Sequence, residues 1–278
     1  MSHDTIRRLA VTLAALVCAF GTAVGTGLIG TRVAESAGGS LSDEATLIAP
    51  AGPAFSIWSV IYLGLAGYVV WQWLPANATD TRARATGWLA AASMVLNAAW
   101  LLVTQQGWLW ASVAVILVLA LVLKVIAEQL STRAARGWGE RVVVDGTFGL
   151  YLGWVAVATC ANIAATLVAS GVADTGTGPE IVTVVILLVV LALGWWYSHR
   201  YTNAVRWAVA AAMAWGVAWI AYGRLGDEPA STLVGVSAIA VALGLVVGAV
   251  LMTALNRSSS PADTEAYESG RQPHTRTA

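Results

Sequence analysis

Charge is what this chain has least of: Asp, Glu, Lys and Arg make up 11% of its 278 residues, against about 25% in an ordinary soluble domain. Hydrophobic residues reach 58% and the mean hydropathy is +0.72, which excludes a water-soluble globule. The fifteen basic and fifteen acidic side chains cancel to a formal charge of zero and form no basic run, so nothing here gathers nucleic acid. Lysine is nearly missing: Lys124 is alone among the basic residues, which together with abundant alanine fits a high-GC bacterial genome. Cysteine is scarce too. Cys18 and Cys160 both lie in apolar runs and belong to no CxxC or Cys/His spacing, so neither a disulfide framework nor a zinc site is expected. The three histidines, His3, His199 and His274, fall outside the apolar runs, and no nucleophile–base pair or phosphate loop is visible.

What is present in abundance is long apolar sequence. A bilayer core about 30 Å thick needs roughly 20 apolar residues at 1.5 Å each. Eight such runs are read, at 9–29, 54–74, 85–103, 108–127, 142–169, 181–197, 205–222 and 233–255, separated by turn signals such as Gly107, Gly176–Pro179 and Gly226–Pro229. The first run exceeds the 7–15 residues of a signal-peptide core and is read as a retained helix. Basic residues then orient the chain. With the N-terminus inside, the inner segments hold thirteen of the fifteen: Arg7, Arg8, Arg82, Arg84, Lys124, Arg133, Arg136, Arg141, Arg200, Arg206, Arg257, Arg271 and Arg276. Arg32 and Arg224 alone lie outside. The expected fold is an all-α integral membrane protein of eight spans with both termini cytoplasmic. The Ser-, Pro-, Thr- and Glu-containing stretch 257–278 has nothing to bury and is expected to be disordered.

Fourteen tryptophans are the second excess. Trp71, Trp73, Trp88, Trp138, Trp195, Trp196 and Trp207 stand near predicted span ends, where an interfacial belt accounts for them. Trp58, Trp100, Trp154, Trp215 and Trp219 lie within spans and bring indole N–H groups that want an acceptor. Polar residues share helix faces with them: Ser93, Asn97, Trp100 and Thr104 recur on one face of the third span. Tyr151, Trp154 and Asn162 lie on neighbouring faces of the fifth span, and Trp58 and Tyr62 stack at i, i+4 in the second. Asn97 and Asn162 are either interhelical hydrogen-bond partners or part of a ligand cavity. Asp145 is the acid inside an apolar run, read either as an ion- or proton-coupling group or as a helix-start anion one turn from Arg141. Gly21/Gly25, Gly149/Gly153 and Gly244/Gly248 match GxxxG and predict close helix contacts. Trp207, Met213 and Trp219 repeat the spacing of Trp88, Met94 and Trp100, and Leu193, Tyr197 and Arg200 match a sterol-type string, both weak patterns.

Three stretches together resemble the tryptophan-rich sensory protein family (TspO/MBR, the translocator-protein family). They are the Pro-rich segment 50–62 ending in Phe55, Trp58 and Tyr62, then Leu96-Asn97 with Trp100 and Gly107-Trp108, then Tyr151, Trp154 and Asn162 on the fifth span. The resemblance covers about residues 9–170 and implies a five-helix ligand-binding core, 1–170, followed by three additional helices over 171–256. It implies a pocket closed by the loop between the first two helices, taking tetrapyrroles, sterol-like and other hydrophobic molecules, often in a homodimer. Carried over, the ligand-binding candidates are Trp58, Tyr62, Asn97, Trp100, Trp108, Tyr151, Trp154 and Asn162. Phe55 stands three residues before Trp58 rather than four, Leu150 replaces a proline, and Ser112 stands where many relatives have aspartate.

The function expected is therefore hydrophobic-ligand binding in a sensory, regulatory or carrier role, in a multi-pass protein of the bacterial inner (plasma) membrane. No cofactor is required, although porphyrin or haem could be bound as ligand. The alternatives are a small-molecule transporter with Asp145 in its path and a light-dependent porphyrin-degrading enzyme.

Overall fold

The computed structural model describes residues 2–29 and 33–258, so Arg32 and nearly all of the tail 257–278 lie outside the described residues. Among the described residues eight helices are long and apolar enough to cross a membrane. They are α1 (His3–Gly25), α2 (Ile57–Trp73), α3 (Thr81–Gln105), α4 (Leu109–Ser131), α5 (Trp138–Ala169), α6 (Thr177–Arg200), α7 (Asn203–Gly226) and α8 (Thr232–Ser258). The chain is thus a multi-pass, all-helical integral membrane protein.

Several helices run past the apolar sequence because polar caps start them earlier. The Ser2 hydroxyl accepts the Thr5 amide, drawing His3 into the first turn of α1. Asp80 accepts the amides of Arg82 and Ala83 at the head of α3. At the far end of α6, His199 and Arg200 fill the last turn, where cations suit the helix dipole. α5 begins with a single α-helical turn (Trp138–Glu140), widens to a π-helical segment (Arg141–Gly146) and continues as an α-helix from Thr147. Asp145 consequently sits in the second turn of the span and not at its start.

α1 packs on α3, α3 on α4, α4 on α5, α5 on α7, and α8 covers both α7 and α6. Lipid is as apolar as leucine, so the hydrophobic effect drives little helix association here and close backbone approach must supply it. The three GxxxG pairs do this. A methyl group on Gly21 would lie 2.8 Å from Ala98 Cβ, one on Gly149 would lie 2.6 Å from Ala208 Cβ, and one on Gly248 would lie 2.8 Å from the Trp195 ring. The pairs therefore seat α1 on α3, α5 on α7 and α8 on α6.

The buried core is continuous from Val11 of α1 to Leu245 of α8, and leucines such as Leu13, Leu16, Leu63 and Leu243 cover the lipid-facing surface. Six of the seven tryptophans assigned to an interfacial belt are at least 40% exposed. Trp71 is the exception, buried at 8% and stacked on Tyr68. The weak internal repeat has matching environments, since Met94 and Met213 are fully buried while Trp88 and Trp207 are exposed.

Candidate functional site

The alternation of spans places residues 33–56 at one end of the bundle, where they lie across the tops of the helices. After a 3₁₀ segment with a kink (Val33–Gly39), the chain folds back so that the Asp43 carboxylate accepts the Gly52 amide at 2.9 Å. A second 3₁₀ turn (Gly52–Ser56), with Pro53 in its first turn, leads into α2. Beneath this lid the aromatic residues of α2 and α5 meet. Trp58 stacks on Tyr62 at 5.2 Å between centroids, and presents edges to Tyr151 at 5.7 Å and Trp154 at 6.3 Å. Phe55, at the end of the lid, meets Trp154 edge-on at 5.4 Å. The shift of Phe55 by one position thus still brings a ring over the chamber.

Two asparagines tie this chamber to its neighbours. Asn97 Nδ2 donates to Tyr62 Oη at 3.1 Å and to Cys18 Sγ at 3.5 Å, linking α3 to α2 and α1. Asn162 Oδ1 accepts the Trp100 indole N–H at 3.0 Å, while its Nδ2 donates to Ser112 Oγ at 3.0 Å, linking α5 to α3 and α4. Ser112 is therefore half of an amide–hydroxyl pair. Tyr151 donates its hydroxyl to the Ser93 carbonyl at 3.2 Å. Two buried polar atoms of the cluster have no hydrogen-bond partner among the described residues: Trp154 Nε1 and Asn97 Oδ1.

A cavity of about 50 Å³ remains between the lid residues Leu41, Ser42, Thr46, Ala49 and Pro50 above and Phe55, Trp100, Trp154 and Asn162 below. That holds a water or two and no larger molecule. Of the eight sequence candidates, Trp100, Trp154 and Asn162 line this cavity, and Trp58, Tyr62, Tyr151 and Asn97 belong to the cluster of rings and hydrogen bonds beside it. Trp108 does neither: it caps α4 with its ring 62% exposed, at the bundle surface.

The lid is held from α7, which sequence reading did not connect to it. Arg224, 2% exposed, donates to the Thr46 carbonyl at 3.2 Å and the Asp43 carbonyl at 3.1 Å. The Trp215 indole N–H donates to the Ala54 carbonyl at 2.9 Å, and the Ala51 amide to the Trp219 carbonyl at 3.3 Å. An arginine in an outer turn signals little by itself, since its partners lie some 180 residues away.

At the opposite end of the bundle Asp145 bonds Arg82 of α3, whose Nη1 also donates to Glu140 at 2.9 Å. All three side chains are buried, and the partner of Asp145 is this remote arginine and not Arg141 one turn back. Arg7, also buried, donates to Gln72 and to the carbonyls of Ala78 and Ala83 nearby. Among the described residues no group of three or more His, Cys, Asp or Glu side chains could hold a metal ion.

No curated protein and no solved structure matches the chain. A family model does: that of the TSPO-like proteins fits residues 9–251, extending past the first five helices into α8. With eight spans, an aromatic chamber under a lid and a match over nearly the whole membrane-embedded length, the chain belongs to the TSPO-like protein family.

Proposed function

We propose that the protein binds a flat hydrophobic molecule, of the tetrapyrrole or sterol-like class, in the chamber formed by Trp58, Tyr62, Tyr151 and Trp154. It would do so in a sensory, regulatory or carrier role in a bacterial plasma membrane, with the lid on the outer face, and by binding rather than catalysis. A porphyrin or haem would be the ligand and not a resident cofactor. One observation carries this reading: an indole donor, Trp154 Nε1, and an amide acceptor, Asn97 Oδ1, lie buried and unpaired among stacked rings. Unsatisfied buried polar groups cost about 1–3 kcal/mol each, and a ligand offering one acceptor and one donor between aromatic faces would recover that cost.

The space under the lid is about 50 Å³ and is reached from the ring cluster through Trp154 alone, so entry requires the lid to lift from α7 and the rings to part. Binding and lid movement are then one event, which suits a sensor. Titration with protoporphyrin IX in detergent, followed by tryptophan fluorescence, tests this. Saturable quenching weakened in Trp154→Phe is the expected result; linear quenching indifferent to Trp58→Phe, Trp100→Phe and Trp154→Phe would remove the proposal.

A second reading, transport coupled through Asp145, draws on the π-helical segment that carries it, since such segments recur at functional sites. Against it stands the closed pairing of Asp145 with Arg82. Proteoliposome flux abolished by Asp145→Asn would favour this reading over the first.

A further inference from the structure

A second cavity, of about 450 Å³, opens between α5 and α6, within the range of small-molecule sites. It exists because α6 leans on α8 and touches α5 at few points. Its walls differ in kind from those of the aromatic chamber. Ile163 and Leu167 of α5, Val182 and Ile186 of α6, and Leu47 and Ile48 of the lid are aliphatic, and no aromatic ring lines the space. A flat ring system would find nothing to stack on; a flexible hydrocarbon chain would find branched aliphatic contacts throughout.

Polarity is confined to the lid end. Thr183 and Asp174 line the cavity there, and the Thr183 hydroxyl is already used, donating to the Pro179 carbonyl at 2.9 Å. Thr46 is different: it is 4% exposed, lines this cavity and the small cavity under the lid alike, and its Oγ1 is buried without a hydrogen-bond partner among the described residues. Its carbonyl is held by Arg224, which fixes the residue in place and leaves the hydroxyl free. The charge around this end is acidic. Asp43, Glu44, Asp174, Glu180, Asp227 and Glu228 gather there, and among the described residues Arg224 is the one basic side chain, already bound to carbonyls. An anionic head group would meet Asp174 with no free cation to offset it.

We propose that this cleft binds an uncharged lipid of the monoacylglycerol type, its acyl chain between α5 and α6 and its hydroxyl paired with Thr46. The bilayer supplies such chains directly to a cleft between two membrane spans. The site is independent of the aromatic chamber, and shares only the Thr46 wall with the small cavity under the lid.

Cys160 lines the cleft, and Cys18 is the other cysteine of the chain, so a thiol reporter is already in place. The test uses the full-length Cys18→Ala protein in phosphatidylcholine nanodiscs, with maleimide modification of Cys160 and crosslinking by a diazirine-bearing monoacylglycerol as readouts. Monoolein should protect Cys160 saturably, crosslinks should fall within residues 46–48 and 160–186, and oleate should compete at least about tenfold more weakly. Ala164→Trp, which fills the slot, should abolish crosslinking, and Thr46→Val should weaken it by about three- to tenfold, the value of one hydrogen bond. Linear, non-saturable protection, or crosslinking unchanged by Ala164→Trp, would overturn the site, and equal competition by oleate would overturn the head-group assignment. Because Cys160 protection needs no cleft variant, misfolding of Ala164→Trp cannot mask the answer. Protoporphyrin quenching retained in Ala164→Trp would separate this cleft from the aromatic chamber, whichever of the two proves occupied.

Discussion

Arg224 reaches across 178 residues of sequence to donate its guanidinium to the main-chain carbonyl of Thr46, 3.2 Å away. An always-charged side chain with several donors is thereby spent on backbone groups of a loop, which it holds against α7.

Replacing Arg224 by methionine keeps most of the side-chain volume and removes these donors. The carbonyls of Asp43 and Thr46 lose charged partners worth about 1.5–3 kcal/mol each. Amides of the lid should exchange hydrogen at least about tenfold faster, while those of α4 stay unchanged. Arg224→Lys, a point charge without the fork, should restore the lid only in part. Uniform exchange across the protein in both variants would show that Arg224 holds the fold and not the lid.

The buried triad at the other end gives an ordered series. Arg82→Met takes away the buried cation between Glu140 and Asp145 and leaves Glu140 only the more exposed Arg136 at 3.4 Å, whereas Asp145→Leu leaves Arg82 still paired with Glu140 at 2.9 Å. Breaking a buried pair costs about 3–5 kcal/mol, so Arg82→Met should lower the thermal midpoint in detergent more than Asp145→Leu does. The reverse order would mean that Asp145, and not Arg82, is the centre of the network.

Glycine seams can be probed by size. At Gly153 an added Cβ would run into the Val209 carbonyl and Ala212, while at Gly178 it would meet open space. Gly153→Val should therefore prevent α7 from docking on α5 and give aggregated or protease-sensitive protein on size-exclusion chromatography. Gly178→Ala should behave as the parent does.

Ser112→Ala leaves Asn162 Nδ2 without its acceptor while Oδ1 keeps the Trp100 indole. The loss should be about 1–3 kcal/mol in unfolding free energy. Ser112→Thr, which keeps the hydroxyl, should retain the parent's stability by accepting the same N–H. Identical midpoints for parent and Ser112→Ala would show that water replaces the hydroxyl.

The eight spans were legible because each is an uninterrupted local pattern, and the GxxxG seams because a small residue every four positions leaves one face bare whatever it meets. The convergence of Trp58, Tyr62, Tyr151 and Trp154 followed from helix faces and the family motifs. What could not be read was pairing between distant segments. Asp145 offered Arg141 one turn away as a plausible partner, yet the π-helical turn places it against Arg82, 63 residues earlier. Trp108 shares the family's motif but caps α4 from the surface, and Trp71 lies at a span end but is enclosed by α2's neighbours; a position along a helix fixes depth in the membrane and not which side faces inward.

The anchoring of the lid by α7 also sets an order of events during synthesis. The loop 33–56 leaves the ribosome about 170 residues before Arg224, and the helices that surround the aromatic chamber precede α7 as well. A nascent chain inserted up to α6 therefore has every ring of the chamber and none of the latch. Until the seventh helix arrives the lid lacks the hydrogen bonds from Arg224 and Trp215, so this end of the bundle is among the last parts of the protein to be completed.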